Sequence, residues 1–226
     1  MTLRGATTTV LIGAVGLVVG AAINARAEQP KTKIDFVSNG IGVPPTDFEF
    51  WRTGHGDVGR WSVVRDATAV AGASIEQFSL DKTEDRFPVA IYKPISAKNV
   101  EVSTHFKLVS GTMQSAGVAV RLTSASDYYV VRVSALEERA DLFRVTDGKI
   151  KRIAGADAHV VRNRWQTLGI IADNDRFTVA LDDRLVFTTR DRTFMGDGYI
   201  ALWTEDDNVT RFEEIEITPL PRRTGD

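Results

Sequence analysis

The segment Tyr128-Tyr-Val-Val-Arg-Val-Ser134, Asp141-Leu-Phe-Arg-Val-Thr-Asp-Gly-Lys-Ile150, Trp165-Gln-Thr-Leu168 and Tyr199-Ile-Ala-Leu-Trp203 decides the fold. Between Tyr128 and Phe212 it reads as six or seven short strands separated by turn residues. Asp147-Gly148 between two alternating runs is the strongest hairpin signal, because a type I′ turn needs positive φ at both central positions. Asp182-Asp183 repeats that signal more weakly. Upstream, Asn99 to Val109 puts Val100, Val102, Thr104, Phe106 and Leu108 on one face and Glu101, Ser103, His105 and Lys107 on the other. That period of two is a half-buried strand.

Further strands are expected at Ala73 to Leu80, Ala90 to Lys93, Ala116 to Leu122, Phe177 to Leu181, Leu185 to Thr188 and Arg211 to Thr218. Helical periodicity is nearly absent. Strands about ten residues apart with such turns predict an all-β fold, an antiparallel jelly-roll β-sandwich. The 226 residues, 43% hydrophobic and 26% charged, suit one such domain over residues 46–218. Residues 28–45 form an N-terminal extension whose run Lys33 to Val37 could be a first strand, and residues 219–226 a tail.

Residues 1–27 have the order of an export signal: Arg4, an apolar stretch from Thr9 to Ala22, and Ala25-Arg26-Ala27 before Glu28. The competing reading is an uncleaved anchor over Ala6 to Ala25. Cleavage predicts a periplasmic or secreted bacterial protein with no stable membrane insertion afterwards. The chain has no cysteine, so neither a disulfide nor a lipidated N-terminal Cys is available. A formal charge of −2, without a basic block, argues against a nucleic-acid partner. Composition says nothing about oligomeric state.

Segments across the chain resemble the concanavalin A-like lectin/glucanase superfamily, in its 3-keto-disaccharide hydrolase-like branch. They include Trp61-Ser-Val-Val-Arg-Asp66, Gly72-Ala-Ser-Ile-Glu-Gln77, Phe106-Lys-Leu-Val-Ser-Gly111, Gly117-Val-Ala-Val-Arg121 and Tyr128-Tyr-Val-Val-Arg132. Gly198-Tyr-Ile-Ala-Leu-Trp-Thr204 and Phe212-Glu-Glu-Ile-Glu-Ile217 continue the match. The resemblance implies a concanavalin A-like or laminin-G-like sandwich of two stacked curved sheets, a ligand on the concave face or rim, and a role with a saccharide or keto-sugar derivative. Its name implies possible cleavage of a keto-glycoside. A non-catalytic glycan- or protein-binding module of the cell envelope is the alternative, and a purely structural envelope protein a third.

Strand parity nominates Arg121, Tyr128 and Arg132 for one groove, where guanidinium forks would meet hydroxyls or carboxylates. Trp203 is the stacking candidate among four tryptophans, with Trp61 and Trp165 expected in the core and Trp51 undecided. His105, on the polar side of its strand, could meet Glu76 or Glu137 and join the substrate-binding set, the alternative being a lone exposed histidine. In the enzymatic version that the family name implies, Glu76, Glu137 or Glu205 serves as acid or base. Glu205-Asp206-Asp207 matches two positions of the E-x-D-x-x-E pattern of retaining glucanases, but Thr210 stands at the third. A standard retaining mechanism is therefore disfavoured. Glu205 and Asp207, or alternatively Asp173-Asn174-Asp175, could supply hard oxygen ligands to calcium. Three histidines without metal-ligand spacing argue against a transition metal.

Overall fold

The computed structural model describes residues 30–222. The export signal expected over residues 1–27 lies outside them, as does the end of the tail. Among the described residues there are fifteen strands and no helix, and so no helix long and apolar enough to cross a membrane.

An eight-stranded antiparallel sheet runs β13 (Arg184–Arg190), β12 (Arg176–Leu181), β11 (Gln166–Asp173), β6 (Val100–Ser110), β15 (Val209–Pro219), β4 (Ala73–Gln77) and β3 (Trp61–Arg65). Its eighth strand, β1 (Thr32–Asp35), also pairs with β15. The second sheet has seven strands: β10 (Lys149–Asp157), β9 (Arg139–Thr146), β8 (Asp127–Ser134), β7 (Ser115–Ser124), β14 (Gly198–Trp203), β5 (Arg86–Ala97) and β2 (Phe48–Gly54). The protein is an antiparallel jelly-roll sandwich, as the alternation predicts.

β6 shows why. Val100, Val102, Phe106 and Leu108 are buried between the sheets against Val118, Val120 and Phe212, while Glu101 is exposed on the outer side. Burying such side chains stabilises the sandwich by roughly 1.5–3 kcal/mol each. Trp61 plugs the same core, its ring 6.1 Å from Phe50 and 6.3 Å from Phe212. Both expected hairpins form. Asp147 and Gly148 have φ of 50° and 75° beneath the pair Thr146 and Lys149, and Asp182 and Asp183 have 50° and 61° beneath Leu181 and Arg184.

Two differences from the sequence expectation have local causes. β2 is a strand that alternation over so short a run does not announce, and it pairs along β5. β5 itself runs past Pro94, where proline would break a regular ladder. The chain absorbs it with a bulge, the register stepping from Tyr92 opposite Ile200 to Ser96 opposite Tyr199.

The seven-stranded sheet carries a second apolar cluster on the face turned away from the core. It comprises Phe87, Val89, Ile91, Ala119, Leu122, Tyr128, Val130, Val145, Ala201 and Trp203, all buried. The middle of this face is thus filled by apolar side chains, and its polar groups gather at the rim.

Candidate functional site

One transverse row of this face carries the polar chemistry. Register places Asp141 of β9 beside Arg132 of β8, Arg132 beside Gly117 of β7, and Gly117 beside Trp203 of β14. The row continues through Val89 of β5 to Trp51 of β2. Gly117 is required by close approach. A Cβ there would lie 2.7 Å from the Val131 carbonyl oxygen and 3.1 Å from the Trp203 ring.

Arg132 is the hub. Its guanidinium donates to Glu137 Oε1 at 2.7 Å and to Glu205 Oε2 at 3.3 Å, approaches Asp141 Oδ2 at 3.6 Å, and lies 5.2 Å from the Phe143 ring centre. Three carboxylates thus share one cation. Asp141 also accepts from Arg139 at 2.8 Å and Arg152 at 2.6 Å, which leaves the set of three arginines and three carboxylates electrically balanced. β10 comes close enough for this because Gly155 lacks a side chain; a Cβ there would meet Asp141 Oδ1 at 1.9 Å.

Glu205 is held from behind. The Ser115 hydroxyl donates to Glu205 Oε2 at 2.7 Å and accepts from the buried Asn208 amide at 2.9 Å. Glu137, in the turn after β8, is the open member, with 40% of its side chain exposed against 10% for Arg132. The site therefore combines a buried carboxylate, a more exposed one and a buried guanidinium between them. Such a set can donate to a sugar oxygen and move a proton over a short path.

Several expected members lie elsewhere. Arg121 turns away because a bulge interrupts the pairing of β7 after Val120, and Arg121 adopts φ of 53° within it. One slipped residue sends its side chain inward. There it is buried, donating to the carbonyls of Lys98 and Phe194 at 2.8 Å each, and to that of Asn174, over the Phe177 ring. Tyr128 keeps the expected face but is wholly buried, its hydroxyl 2.8 Å from Thr53 Oγ1, and burial pushes its pKa up to about 12. Trp203 is buried as well and stacks on Phe87 at 5.3 Å, so it forms the floor and offers no stacking surface.

Glu76 and His105 belong to the outer face of the other sheet. Glu76 binds Arg211, while His105 meets Glu213 at 3.1 Å in place of Glu76 or Glu137. Trp165, expected in the core, is half-buried at the surface beside Lys107. The proposed calcium ligands are engaged otherwise. Asp207 Oδ1 accepts from the Thr112 amide and hydroxyl at 2.8 and 2.7 Å, and Asp175 binds Arg190 and Arg192. Among the described residues no group of three or more His, Cys, Asp or Glu is placed to hold a metal ion. Thr210, at the third position of the glucanase pattern, is buried with its hydroxyl on the Ser115 carbonyl.

Sequence reasoning missed Asp141, Ser115 and Asn208. The available signal for Asp141 was a single Asp on the strand face of Phe143 and Val145, the face that Arg139 shares. Nothing local in the sequence announces that Ser115 and Asn208 meet.

The sequence pattern of the 3-keto-alpha-glucoside-1,2-lyase-like domain matches residues 44–218. The chain belongs to that family. Among curated proteins no relative matches by sequence. Solved structures share the fold of this lyase-like domain. The carbohydrate binding module CBM66 from Bacillus subtilis matches with a TM-score of 0.60 and 20% identity over 75% of this chain and 94% of its own. The Crh5 transglycosylase in complex with NAG matches with a TM-score of 0.57 and 13% identity over 87% of each. The carbohydrate recognition domain of Emp46p, in a metal-free form, gives 0.54 and 11% over 78% of this chain and 89% of its own.

Proposed function

We propose that this is an exported domain that binds a 3-keto-glycoside at the rim of the seven-stranded sheet and cleaves it by elimination. The observation that carries the reading is Arg132 held between a buried and a more exposed carboxylate, Glu205 and Glu137. A ketone at C3 acidifies the hydrogen on C2. In the proposed step Glu205 takes that proton, the C–H electron pair becomes the C1–C2 double bond, and the C1–O bond breaks. The departing oxygen takes a proton from the Glu137 carboxyl or from water. Arg132 donates to the C3 oxygen, where negative charge develops, which lowers the barrier most when the donor is already in place. Family membership and the saccharide-handling structures of the same fold support the class of ligand.

Binding without cleavage is the second reading, favoured by the charge balance of the site: each of the three carboxylates already has an arginine partner. Incubation with a 3-keto-disaccharide and with its unoxidised parent, followed by mass analysis, separates the two. Elimination gives one product lighter by a water than hydrolysis would, from the keto compound only. Saturable binding with no product supports the module, and neither binding nor product defeats the saccharide reading.

A further inference from the structure

On the opposite side of the molecule, the outer face of the eight-stranded sheet carries a groove of about 470 Å³, lined by Thr68, Lys107, Asn163, Arg164, Trp165 and Arg211 with Val109. Its cross-strand row is set by register, with Arg211 of β15 opposite both Lys107 of β6 and Glu76 of β4. The apolar neighbours Phe106, Leu108 and Phe212 point the other way into the core, so these polar groups are directed outward.

The groove is built on a fully satisfied network. The Thr68 hydroxyl donates to Asp66 at 2.6 Å and accepts from Lys107 at 2.7 Å and from the Trp165 indole at 3.0 Å. Asp66, itself buried, also takes a bond from Arg211 at 2.9 Å. This arrangement pins the indole by its edge at the surface, with the Lys107 ammonium 4.7 Å from the ring centre. The turn that presents it is equally fixed, since Asn163 has φ of 56° and its amide donates to the Leu108 carbonyl at 2.9 Å. A large aromatic ring held half in solvent by a hydrogen bond to Thr68, itself fixed by Asp66 and Lys107, is pre-organised for contact.

The charge of the lining selects the ligand. Lys107, Arg164 and Arg211 line the groove; Lys107 and Arg211 are already paired with Asp66 and Glu76, so among the described residues Arg164 is the lining cation with no carboxylate bridge. Arg164 is exposed at the mouth. An indole beside an unpaired guanidinium fork suits a pyranose that bears a carboxylate, the ring face lying on Trp165 and the carboxylate reaching Arg164. We propose that this groove is a second binding site, for an acidic, uronate-type saccharide, independent of the Arg132 site.

Titration of the protein with tetragalacturonate and with the neutral maltotetraose, read by calorimetry and tryptophan fluorescence, tests it. The acidic probe is expected to bind with a change in Trp165 emission and the neutral one not to bind at this groove. Arg164→Ala, an exposed change that spares the network, should weaken binding by about tenfold or more, the scale of one charge-assisted hydrogen bond. Trp165→Phe should remove the fluorescence change, and Arg132→Gln should leave tetragalacturonate affinity unaltered. Absence of saturable binding, equal binding of both probes, or binding indifferent to Arg164→Ala would overturn the proposal.

Discussion

Ser115 donates its hydroxyl proton to Glu205 at 2.7 Å while it accepts from Asn208, so a single small side chain orients the carboxylate that faces Arg132. This separates position from charge. Glu205→Gln keeps the shape and removes the base, and should abolish elimination while ligand still binds. Ser115→Ala keeps the base and loosens it, and should lower turnover by a smaller factor with a stability loss of about 1–3 kcal/mol for the buried groups left without a partner. Equal turnover in wild type and Glu205→Gln would exclude Glu205 as the base.

Arg132 is buried among three carboxylates, so its removal should be felt by the fold as well as by the ligand. Arg132→Ala is expected to cost about 3 kcal/mol in denaturant unfolding, the low end for breaking a buried ion pair. Saccharide affinity should fall by about 1.5–3 kcal/mol, the range for a charged hydrogen bond. A variant as stable as wild type would show that Glu137 and Asp141 are satisfied without Arg132.

The parts of this architecture that were legible in the sequence are those fixed by local rules. The parity of Val100 to Leu108 and the turns at Asp147-Gly148 and Asp182-Asp183 depend only on neighbours along the chain, and the structure keeps them. Arg121 defeated parity because a bulge, set by how β7 must meet its partners, moves the side chain to the other face. Trp203 and Trp165 exchanged places for a similar reason. The missing side chain of Gly117 draws Trp203 into a packed floor, whereas Thr68 and Lys107, distant in sequence, hold Trp165 at the surface. Arg132, Glu137 and Glu205 could be nominated from strand parity and residue type, but their meeting depends on the order β8, β7, β14, which no local pattern encodes.

Gly117 tests the packing of that floor directly. An alanine methyl would press on the Val131 carbonyl at 2.7 Å and on the Trp203 and Val130 side chains at 3.1 Å each. Gly117→Ala should destabilise the protein by about 1–3 kcal/mol through overpacking, despite alanine's smaller loss of backbone entropy. The strain lies beside Arg132, so ligand affinity should drop with stability. A thermal melt at or above the wild-type midpoint would show that the row relaxes at no cost.

Asp66 supplies the last prediction, through acid. Burial alone would push its carboxyl up, but hydrogen bonds from Lys107, Thr68 and Arg211 outweigh that and hold it well below the usual carboxylate range. A carboxyl whose folded pKa lies below its unfolded value of about 3.9 contributes stability that is fully present above that value. The contribution is lost as pH falls from there toward the folded pKa, because the unfolded chain then binds the proton first. At neutral pH Asp66→Asn should therefore be clearly less stable than wild type, with Lys107 and Arg211 deprived of their shared anion. Urea unfolding at a series of pH values should show that gap narrowing as the pH is lowered from about 5 to 3, because wild type loses what the variant never had. A gap that stays constant over this range would mean that Asp66 titrates alike in the folded and unfolded chains, and that its bonds to Lys107 and Arg211 do not stabilise the ionised form.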